Sequence, residues 1–345
     1  MPGGLTRFSG AVLSLCLLVC SAAHAEDCRL EQVASLDMTR APQGLLVPVI
    51  IEGSAKSMIV DTGAPLSTID PQVASELHLV THRVRQGAMF TSRGQQFTEM
   101  ANIRQLQIGT MHAADLKFLL YPARLSAGSD IAGLLGADFL RHYDIDLDFA
   151  ARKLNLFSQN HCPGKVVYWR ADAVAVVPMH VVDSGHIIVP LTLDGHAFSA
   201  VFDTGAFGTI LTLEAAENYF GVKPGSPDTP QISDSAKGGA PYYKHVFREL
   251  TLEGIAIRNP AVYIRADLRR QGMSQWRETG TRVNSPDESG GETDLILGMN
   301  ELQHLHIFVS YKEQKLYITT ASNNASAKPA DRPARSVEQK QIEQR

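Results

Sequence analysis

The sequence carries the tripeptide Asp-Thr-Gly twice, each time directly after an apolar run. The first copy lies in MIVDTGAPLST at 58–68 and the second in AVFDTGAFGTI at 200–210. The apolar runs predict strands that end at the acid, and the glycine two residues later permits a tight turn or a close backbone approach. A threonine hydroxyl can hold such a turn by hydrogen bonding. A single block of this kind is more often a turn than a catalytic site, so the duplication carries the argument.

Two such acids brought together would have a chemistry that neither has alone. Equivalent loops of a duplicated fold meet at its pseudo-two-fold axis, which would place Asp61 opposite Asp203. Like charges at close range cannot both ionise easily, so the pair shares one proton and offers an acid and a base together. Such a pair can activate water and protonate a leaving group, which is hydrolysis of an amide without a metal or a covalent intermediate.

The duplication extends well beyond the tripeptides. Residues 45–64 align on residues 187–206 without a gap at an offset of 142, and the segment from 134 is echoed by the segment from 296 at an offset of 162. In both later segments apolar residues alternate, which predicts a half-buried strand after a short helical turn. Between these blocks, residues 103–108 match residues 247–252 at an offset of 144. Because the offset grows by 18 residues from there to the last segment, the second copy contains an insertion, which we place near residues 265–293 and expect to be an exposed loop.

Both copies are rich in short alternating runs and are predicted to be mostly β. Their clearest helix candidates are residues 71–79 and 213–221. The predicted organisation is a signal peptide at 1–25, a first lobe at 26–165, a second lobe at 166–321 that carries the insertion, and a disordered polar tail at 322–345.

Composition excludes one class of function. The chain has 32 Lys and Arg against 36 Asp and Glu, a net charge of -4, so it offers no broad basic field for nucleic acid.

The N-terminus predicts export. Arg7 precedes the apolar stretch AVLSLCLLVC, and Ala-His-Ala at 23–25 forms a cleavage site of the small-x-small type. An uncleaved membrane anchor is the first alternative, but the apolar stretch is shorter than the roughly 20 residues needed to cross a bilayer. A lipoprotein that uses Cys20 is the second, and Val19 stands where a small residue is wanted. We therefore expect cleavage of the signal peptide after Ala25 and a periplasmic or secreted protein without stable membrane insertion.

Removal of the signal peptide would leave two cysteines, Cys28 and Cys162. Two thiols in an oxidising compartment favour a disulfide, and their spacing fits no zinc or redox motif. Two unpaired thiols are the alternative.

With these motifs in place, the sequence resembles the pepsin-like and, more closely, the bacterial retropepsin-like aspartic proteases, with two retroviral-type repeats in one chain. The resemblance rests on Asp-Thr-Gly-Ala at 61–64 and 203–206 and on apolar-apolar-Gly at 134–136 and 296–298, and it covers about residues 40–320. It implies an all-β fold with short helices, in which two lobes related by a pseudo-two-fold axis enclose the active site.

The resemblance also implies roles for individual residues. Asp61 and Asp203 would be the catalytic dyad, acting on a polypeptide substrate in a monomer without cofactor or metal. The residues that would support the active loops are Thr62, Gly63, Thr204, Gly205, Gly136 and Gly298. Flap tips are expected near 90–97 and 235–243. Where the first copy has Ala-Asp-Phe at 137–139 the second has Met-Asn-Glu at 299–301, so the two halves are expected to differ in substrate contacts.

Other chemistries fit the sequence less well. The histidines at 180, 186, 196, 304 and 306 show no helical metal-binding pair and are interpreted as surface or edge-strand residues. Asp144, Asp146 and Asp148 alternate along a predicted strand, which fits either a calcium site or a solvated strand face.

Three functions compete at this point. The first is an exported aspartic endopeptidase, the second a protease-shaped peptide-binding module without turnover, and the third an interaction scaffold whose insertion loop carries the function. Both halves keep the full Asp-Thr-Gly-Ala motif, which favours the enzyme, although a fold alone never proves activity.

Overall fold

The computed structural model describes residues 29–42, 44–84, 89–91, 95–125, 130–232, 241–265 and 293–321. The expected signal peptide, Cys28, the centres of both expected flaps, nearly all of the insertion and the C-terminal tail lie outside these residues. Each of those expectations stays a prediction.

Short strands dominate the described residues. In chain order they are β1 (Gln32–Asp37), β2 (Thr39–Ala41), β3 (Gly44–Ile51), β4 (Ser54–Val60), β5 (Thr68–Ile69), β6 (Val80–Arg83), β7 (Met89–Phe90), β8 (Gln96–Phe97), β9 (Glu99–Ile108), β10 (Met111–Leu120), β11 (Ile131–Leu135), β12 (Asp144–Asp148), β13 (Lys153–Phe157), β14 (Ala175–Pro178), β15 (His180–Val181), β16 (Ile187–Leu193), β17 (His196–Phe202), β18 (Ile210–Thr212), β19 (Tyr242–Val246), β20 (Glu249–Leu252), β21 (Ile255–Arg258), β22 (Ala261–Arg265), β23 (Leu295–Leu297), β24 (Leu305–Ser310) and β25 (Lys315–Thr320).

The described helices are all short. They are α1 (Pro71–Glu76), α2 (Ala137–Leu140), α3 (Leu213–Phe220) and α4 (Met299–Leu302). The two expected helices are confirmed as α1 and α3, and each begins at a capping side chain: Asp70 accepts from the Gln72 amide, and Thr212 accepts from the Ala215 amide. None of these helices is long and apolar enough to cross a membrane.

The strands form three main sheets. The first-half sheet has the order β2-β3-β4-β11-β5-β10-β9-β6, and the second-half sheet has the order β19-β22-β18-β23-β17-β16-β20-β21 with β15 beside β16. A third sheet of six strands has the order β1-β13-β12-β24-β25-β14, and β7 pairs only with β8. The expected bilobal, mostly β fold is confirmed.

Equivalent hairpins in the two halves are built in the same way. The turn from β3 to β4 places Glu52 and Gly53 at positive φ, and the turn from β16 to β17 does the same with Asp194 and Gly195. Two successive residues at positive φ are typical of the turn that suits the twist of a tight hairpin. Each acid then accepts backbone amides from the strand beside it, at 104–105 in the first half and at 248–249 in the second.

The six-stranded sheet joins the halves through the pairing of β12 with β24. Both strands are buried along their whole length. The expectation of half-buried strands was therefore wrong. Alternating apolar residues indicated one buried face, but both faces of this shared sheet are covered, and the residues between the apolar ones are buried as well.

The aspartates of β12 correct a second expectation. Asp144, Asp146 and Asp148 are buried, so they form neither a solvated face nor an open cation site. Asp144 is paired instead: His161 contacts its Oδ2 at 2.5 Å, and the Ser310 hydroxyl donates to the same oxygen at 2.9 Å. Burial raises the pKa of Asp144 above its usual value, in spite of these partners.

Asp146 is held by a second set of buried partners. The Tyr168 hydroxyl and the Asn155 amide donate to its Oδ2, and His306 contacts its Oδ1 at 2.7 Å. His306 also stacks on Trp169, with ring centroids 4.0 Å apart. The interpretation of His306 as a surface or edge-strand residue was wrong, because β24 lies inside the shared sheet. The histidines that are exposed as expected are His180, His196 and His304.

Candidate active site

The two Asp-Thr-Gly loops begin where buried strands end. β4 ends at Val60 and β17 ends at Phe202, and each strand runs parallel to the strand that carries an apolar-apolar-Gly segment. The amide of Asp61 donates to the Leu135 carbonyl at 3.0 Å, and the amide of Asp203 donates to the Leu297 carbonyl at 3.0 Å. The sheets therefore deliver both acids to the same kind of position in the two halves.

The two threonines lock the loops together across the halves. The Thr62 hydroxyl donates to the Phe202 carbonyl at 2.8 Å and accepts from the Thr204 amide at 3.0 Å. In return, the Thr204 hydroxyl donates to the Val60 carbonyl at 2.7 Å and accepts from the Thr62 amide at 3.1 Å. Both threonines are buried, so these four bonds fix the register of one loop against the other without competition from water.

The glycines of the tripeptides let the opposite carboxyl group come close. A Cβ added at Gly63 would lie 2.3 Å from Cγ of Asp203, and one added at Gly205 would lie 2.3 Å from Cγ of Asp61. Such distances are far below any real contact between carbon atoms. Each half therefore supplies an acid and also the bare backbone on which the acid of the other half rests.

The two carboxyl groups lie close enough for each to change the pKa of the other. Asp61 Oδ1 accepts from the Gly63 amide at 3.0 Å, while Asp203 Oδ1 accepts from the amides of Gly205 and Ala206 at 2.8 and 3.0 Å. Burial and the charge of Asp203 hold the pKa of Asp61 well above its usual range. Burial also raises the pKa of Asp203, but its backbone donors and the nearby His186 oppose that rise. Because the pKa of Asp61 is held high while the rise in the pKa of Asp203 is opposed, one acid of the pair keeps its proton.

Gly136 and Gly298 are required by close approach rather than by backbone conformation. A Cβ at Gly136 would lie 2.8 Å from the Ala64 carbonyl oxygen, and one at Gly298 would lie 2.2 Å from the Gly208 carbonyl oxygen. Both glycines precede short helices and have φ values of -92° and -110°, which any residue adopts. They bring the helix starts directly against the active loops.

The side chains that follow these glycines stabilise the active loops. Asp138 accepts from the Ser67 amide at 2.8 Å and from its hydroxyl at 2.7 Å, and Asn300 accepts from the Thr209 amide at 2.5 Å. The Asn300 amide also donates to the Ala261 carbonyl at 2.7 Å. Asp138 and Asn300 thus both hold an active loop by accepting from one of its amides, and the expected difference in substrate contacts stays a prediction.

Aromatic side chains border the second loop. Phe207, four residues after Asp203, is 52% exposed and packs against Tyr263 and Tyr242, with centroids 4.7 and 6.1 Å away. Arg265 donates to the Tyr242 hydroxyl at 2.6 Å. In the first half Pro65 stands at the position of Phe207, so this apolar wall is an asymmetric feature of the site.

His186 is the site residue that sequence reasoning missed. It was grouped with surface or edge-strand histidines, but its Nε2 contacts the Gly63 carbonyl at 2.9 Å. The only signal in the sequence was its place just before a repeated strand, 17 residues ahead of Asp203, where the first copy has Gly44.

The described residues contain no group of three or more His, Cys, Asp or Glu side chains arranged to hold a metal ion.

Comparison with protein families agrees with this geometry. A family model described as aspartyl protease matches the chain at residues 47–139 and again at 189–300. Each matched segment contains one Asp-Thr-Gly tripeptide and one apolar-apolar-Gly segment. No curated protein matches the chain.

Proposed function

Because the chain belongs to the aspartyl protease family, we propose that it hydrolyses internal peptide bonds with Asp61 and Asp203 acting as one dyad. The observation that carries this proposal is the mutual seating of the two acids. Each carboxyl group lies directly against the glycine of the other loop, and each changes the pKa of the other. Hydrolysis by a water molecule that no metal activates requires one acid and one base close together.

The proposed reaction has two steps. In the first, the Asp203 carboxylate takes a proton from water as its oxygen attacks the scissile carbonyl carbon, and protonated Asp61 donates to the carbonyl oxygen. In the second, the C–N bond breaks, Asp203 returns its proton to the leaving nitrogen, and Asp61 recovers a proton from one hydroxyl of the intermediate. The dyad ends with one proton, as it began, so atoms and charges balance.

A substrate would lie as an extended chain across the two loops. An extended peptide matches the pseudo-two-fold arrangement, because its backbone offers similar groups to both halves. The exposed ring of Phe207 and its aromatic neighbours would contact apolar side chains on the Asp203 side only.

We also propose that the enzyme works outside the cytoplasm as a monomer. The support for export is the N-terminal pattern of a charge, an apolar stretch and Ala-His-Ala at 23–25. The support for a monomer is that both Asp-Thr-Gly loops lie in one chain. Intact-mass analysis of the exported protein decides this point. A chain that begins at Glu26 agrees, whereas retained Met1 or lipidated Cys20 contradicts it.

The proposed activity is tested with the purified mature chain, residues 26–345, and a library of peptides from a denatured proteome in 18O-labelled water. We expect new peptide ends, with one 18O atom in each new carboxylate because water is the nucleophile. Asp203→Asn, which nearly keeps the shape of the side chain, should produce none. Asp172→Asn, a change at an exposed aspartate, is the matched control and should cleave normally.

Two results would contradict the proposal. Equal cleavage by the wild type and by Asp203→Asn would show that another enzyme in the preparation cuts the peptides. Peptide binding by a folded wild type that cleaves nothing would favour the peptide-binding module instead.

A further inference from the structure

His186 belongs to a turn of the second half that packs on the first half. The turn between β15 and β16 is closed by the Gly185 amide, which donates to the Val182 carbonyl at 2.7 Å. A Cβ at Gly185 would lie 2.7 Å from Cβ of Ala137, the first residue of α2. The turn is therefore anchored beside the Gly136 segment of the other half, and the position of His186 is fixed by packing.

The hydrogen bonds of His186 define which ring nitrogen carries a proton. Nε2 lies 2.9 Å from the Gly63 carbonyl oxygen, which only accepts, so Nε2 must donate. Nδ1 lies 2.9 Å from Oγ of Ser184, which can donate or accept. Both the neutral and the positively charged ring therefore keep both hydrogen bonds, and the site accommodates a cation without rearrangement.

The first half has no counterpart of this contact. The equivalent position is Gly44, which has a φ of +143° and whose added Cβ would lie 2.8 Å from Cγ2 of Ile59. A side chain there would be both strained and in collision. At this pair of equivalent positions, the dyad is thus approached by a basic side chain from the second half and not from the first.

We propose that His186 is a positioning residue that makes the two acids unequal. It holds the first loop at Gly63 and favours the ionised form of Asp203, so that the shared proton stays on Asp61. This inference rests on the proposed protease function, because only a working dyad makes the location of that proton matter. In the reaction above, it fixes Asp203 as the base and Asp61 as the acid.

The electrostatic environment of the site is consistent with this assignment. Burial raises the pKa of Asp203, but its backbone donors and the charge of His186 oppose that rise, whereas burial and the charge of Asp203 hold the pKa of Asp61 well above its usual range. Other charged groups near the turn are Asp183 on the turn itself, which is exposed, and Asp138 on α2, whose carboxylate is bound to Ser67.

Two substitutions separate the effect of the His186 hydrogen bond to Gly63 from the effect of the His186 charge. His186→Gln keeps an N–H that can reach the Gly63 carbonyl but removes the charge, and His186→Ala removes both. His180→Gln is the matched control, since His180 is exposed on the same hairpin. Thermal melting of all variants first establishes that they are folded.

We expect the acid limb of the kcat/KM profile of His186→Gln to move to higher pH, because the singly ionised dyad loses a stabilising cation. Its kcat at the new optimum should stay within about threefold of wild type. His186→Ala should show the same shift and lose about tenfold in kcat, with KM little changed, because the loop is no longer held. The control should match the wild type in both respects.

A second readout needs no turnover. In protein labelled with 13C at the aspartate carboxyl carbon, the signals of Asp61 and Asp203 are assigned by their Asn variants and followed with pH. The first ionisation of the pair should occur at higher pH in His186→Gln than in the wild type. An unchanged first ionisation in folded His186→Gln overturns the inference, whether or not the protein cleaves peptides. If the wild type cleaves no peptide but the first ionisation still moves to higher pH in His186→Gln, only the protease proposal is overturned.

Discussion

Gly63→Ala adds one methyl group and tests how closely the Asp203 carboxyl group lies against this glycine. The new Cβ would lie 2.3 Å from Cγ of Asp203, whereas carbon atoms normally approach to about 3.5 Å. The backbone at Gly63 does not have a positive φ, so alanine fits the local conformation and the effect is purely steric. The Asp203 carboxyl group and the loop must separate by about 1.2 Å, the difference between these two distances.

A displacement of that size predicts a large loss of turnover and a modest loss of stability. Misplacing a reacting group by about 1 Å can lower a rate about 100-fold, and overpacking a well-packed contact costs about 1–3 kcal/mol. We therefore expect kcat of Gly63→Ala to fall about 100-fold while the protein still folds at room temperature. Gly205→Ala, the equivalent change against Asp61, should behave in the same way.

The assay pairs peptide turnover with urea unfolding. Gly53→Ala is the matched control, because Gly53 has open space around its Cα and a φ of +82°. It should lose about 1 kcal/mol of stability through backbone strain but keep its turnover per folded molecule. A folded Gly63→Ala that retains turnover within threefold of wild type would refute the close seating of Asp203 on this glycine.

Three further predictions address the loops, the pH dependence and the expected disulfide. Thr204→Val should lower the free energy of unfolding in urea by about 2–6 kcal/mol, because the Thr62 amide and the Val60 carbonyl each lose a buried hydrogen bond worth about 1–3 kcal/mol. Thr204→Ser, which keeps the hydroxyl, should keep most of that stability. Because the pKa of Asp61 is raised in the folded protein, its contribution to stability is fully present below the pKa of the unfolded chain and is lost as pH rises toward the folded value. Asp61→Asn should therefore raise Tm at pH 7 by about 2–4 °C and change Tm little near pH 4. An unchanged Tm at pH 7 would contradict this prediction. Non-reducing peptide mapping should recover Cys28 linked to Cys162, whose reduction should cost up to about 4–5 kcal/mol; alkylation of both thiols without prior reduction would contradict the bridge.

The site could be predicted where the chemistry is local to a repeated motif. An apolar strand followed by Asp-Thr-Gly fixes the end of the strand and the turn, so the placement of Asp61 and Asp203 followed from the duplication. The roles of Gly136 and Gly298 came from the family resemblance. Their spacing after the aspartates reflects the parallel strands β11 and β23, which lie directly beside β4 and β17.

The shared sheet could not be predicted from local patterns. Alternation along β12 correctly indicated a strand, but burial of its second face depends on β24, which pairs with it from 160 residues away. The aspartates of β12 therefore looked like exposed groups. Their buried partners come from segments that carry no common motif: His161 lies 17 residues after Asp144, and His306 lies 160 residues after Asp146.

His186 was missed for a related reason. A histidine before a strand is common and carries no signal of its own, and its contact with Gly63 exists only because the two halves meet. A comparison of the two copies for differences, rather than for identities, would have singled it out against Gly44.

The most direct test of the dyad compares Asp61→Asn, Asp203→Asn and the double variant over a full pH range. We predict a bell-shaped profile for the wild type, because only the singly protonated pair is active. Each single variant should abolish hydrolysis while remaining folded, and the double variant should be no worse than either, since the two residues act as one unit. A folded single variant with near wild-type turnover, or losses that multiply in the double variant, would contradict the claim that Asp61 and Asp203 form one catalytic pair.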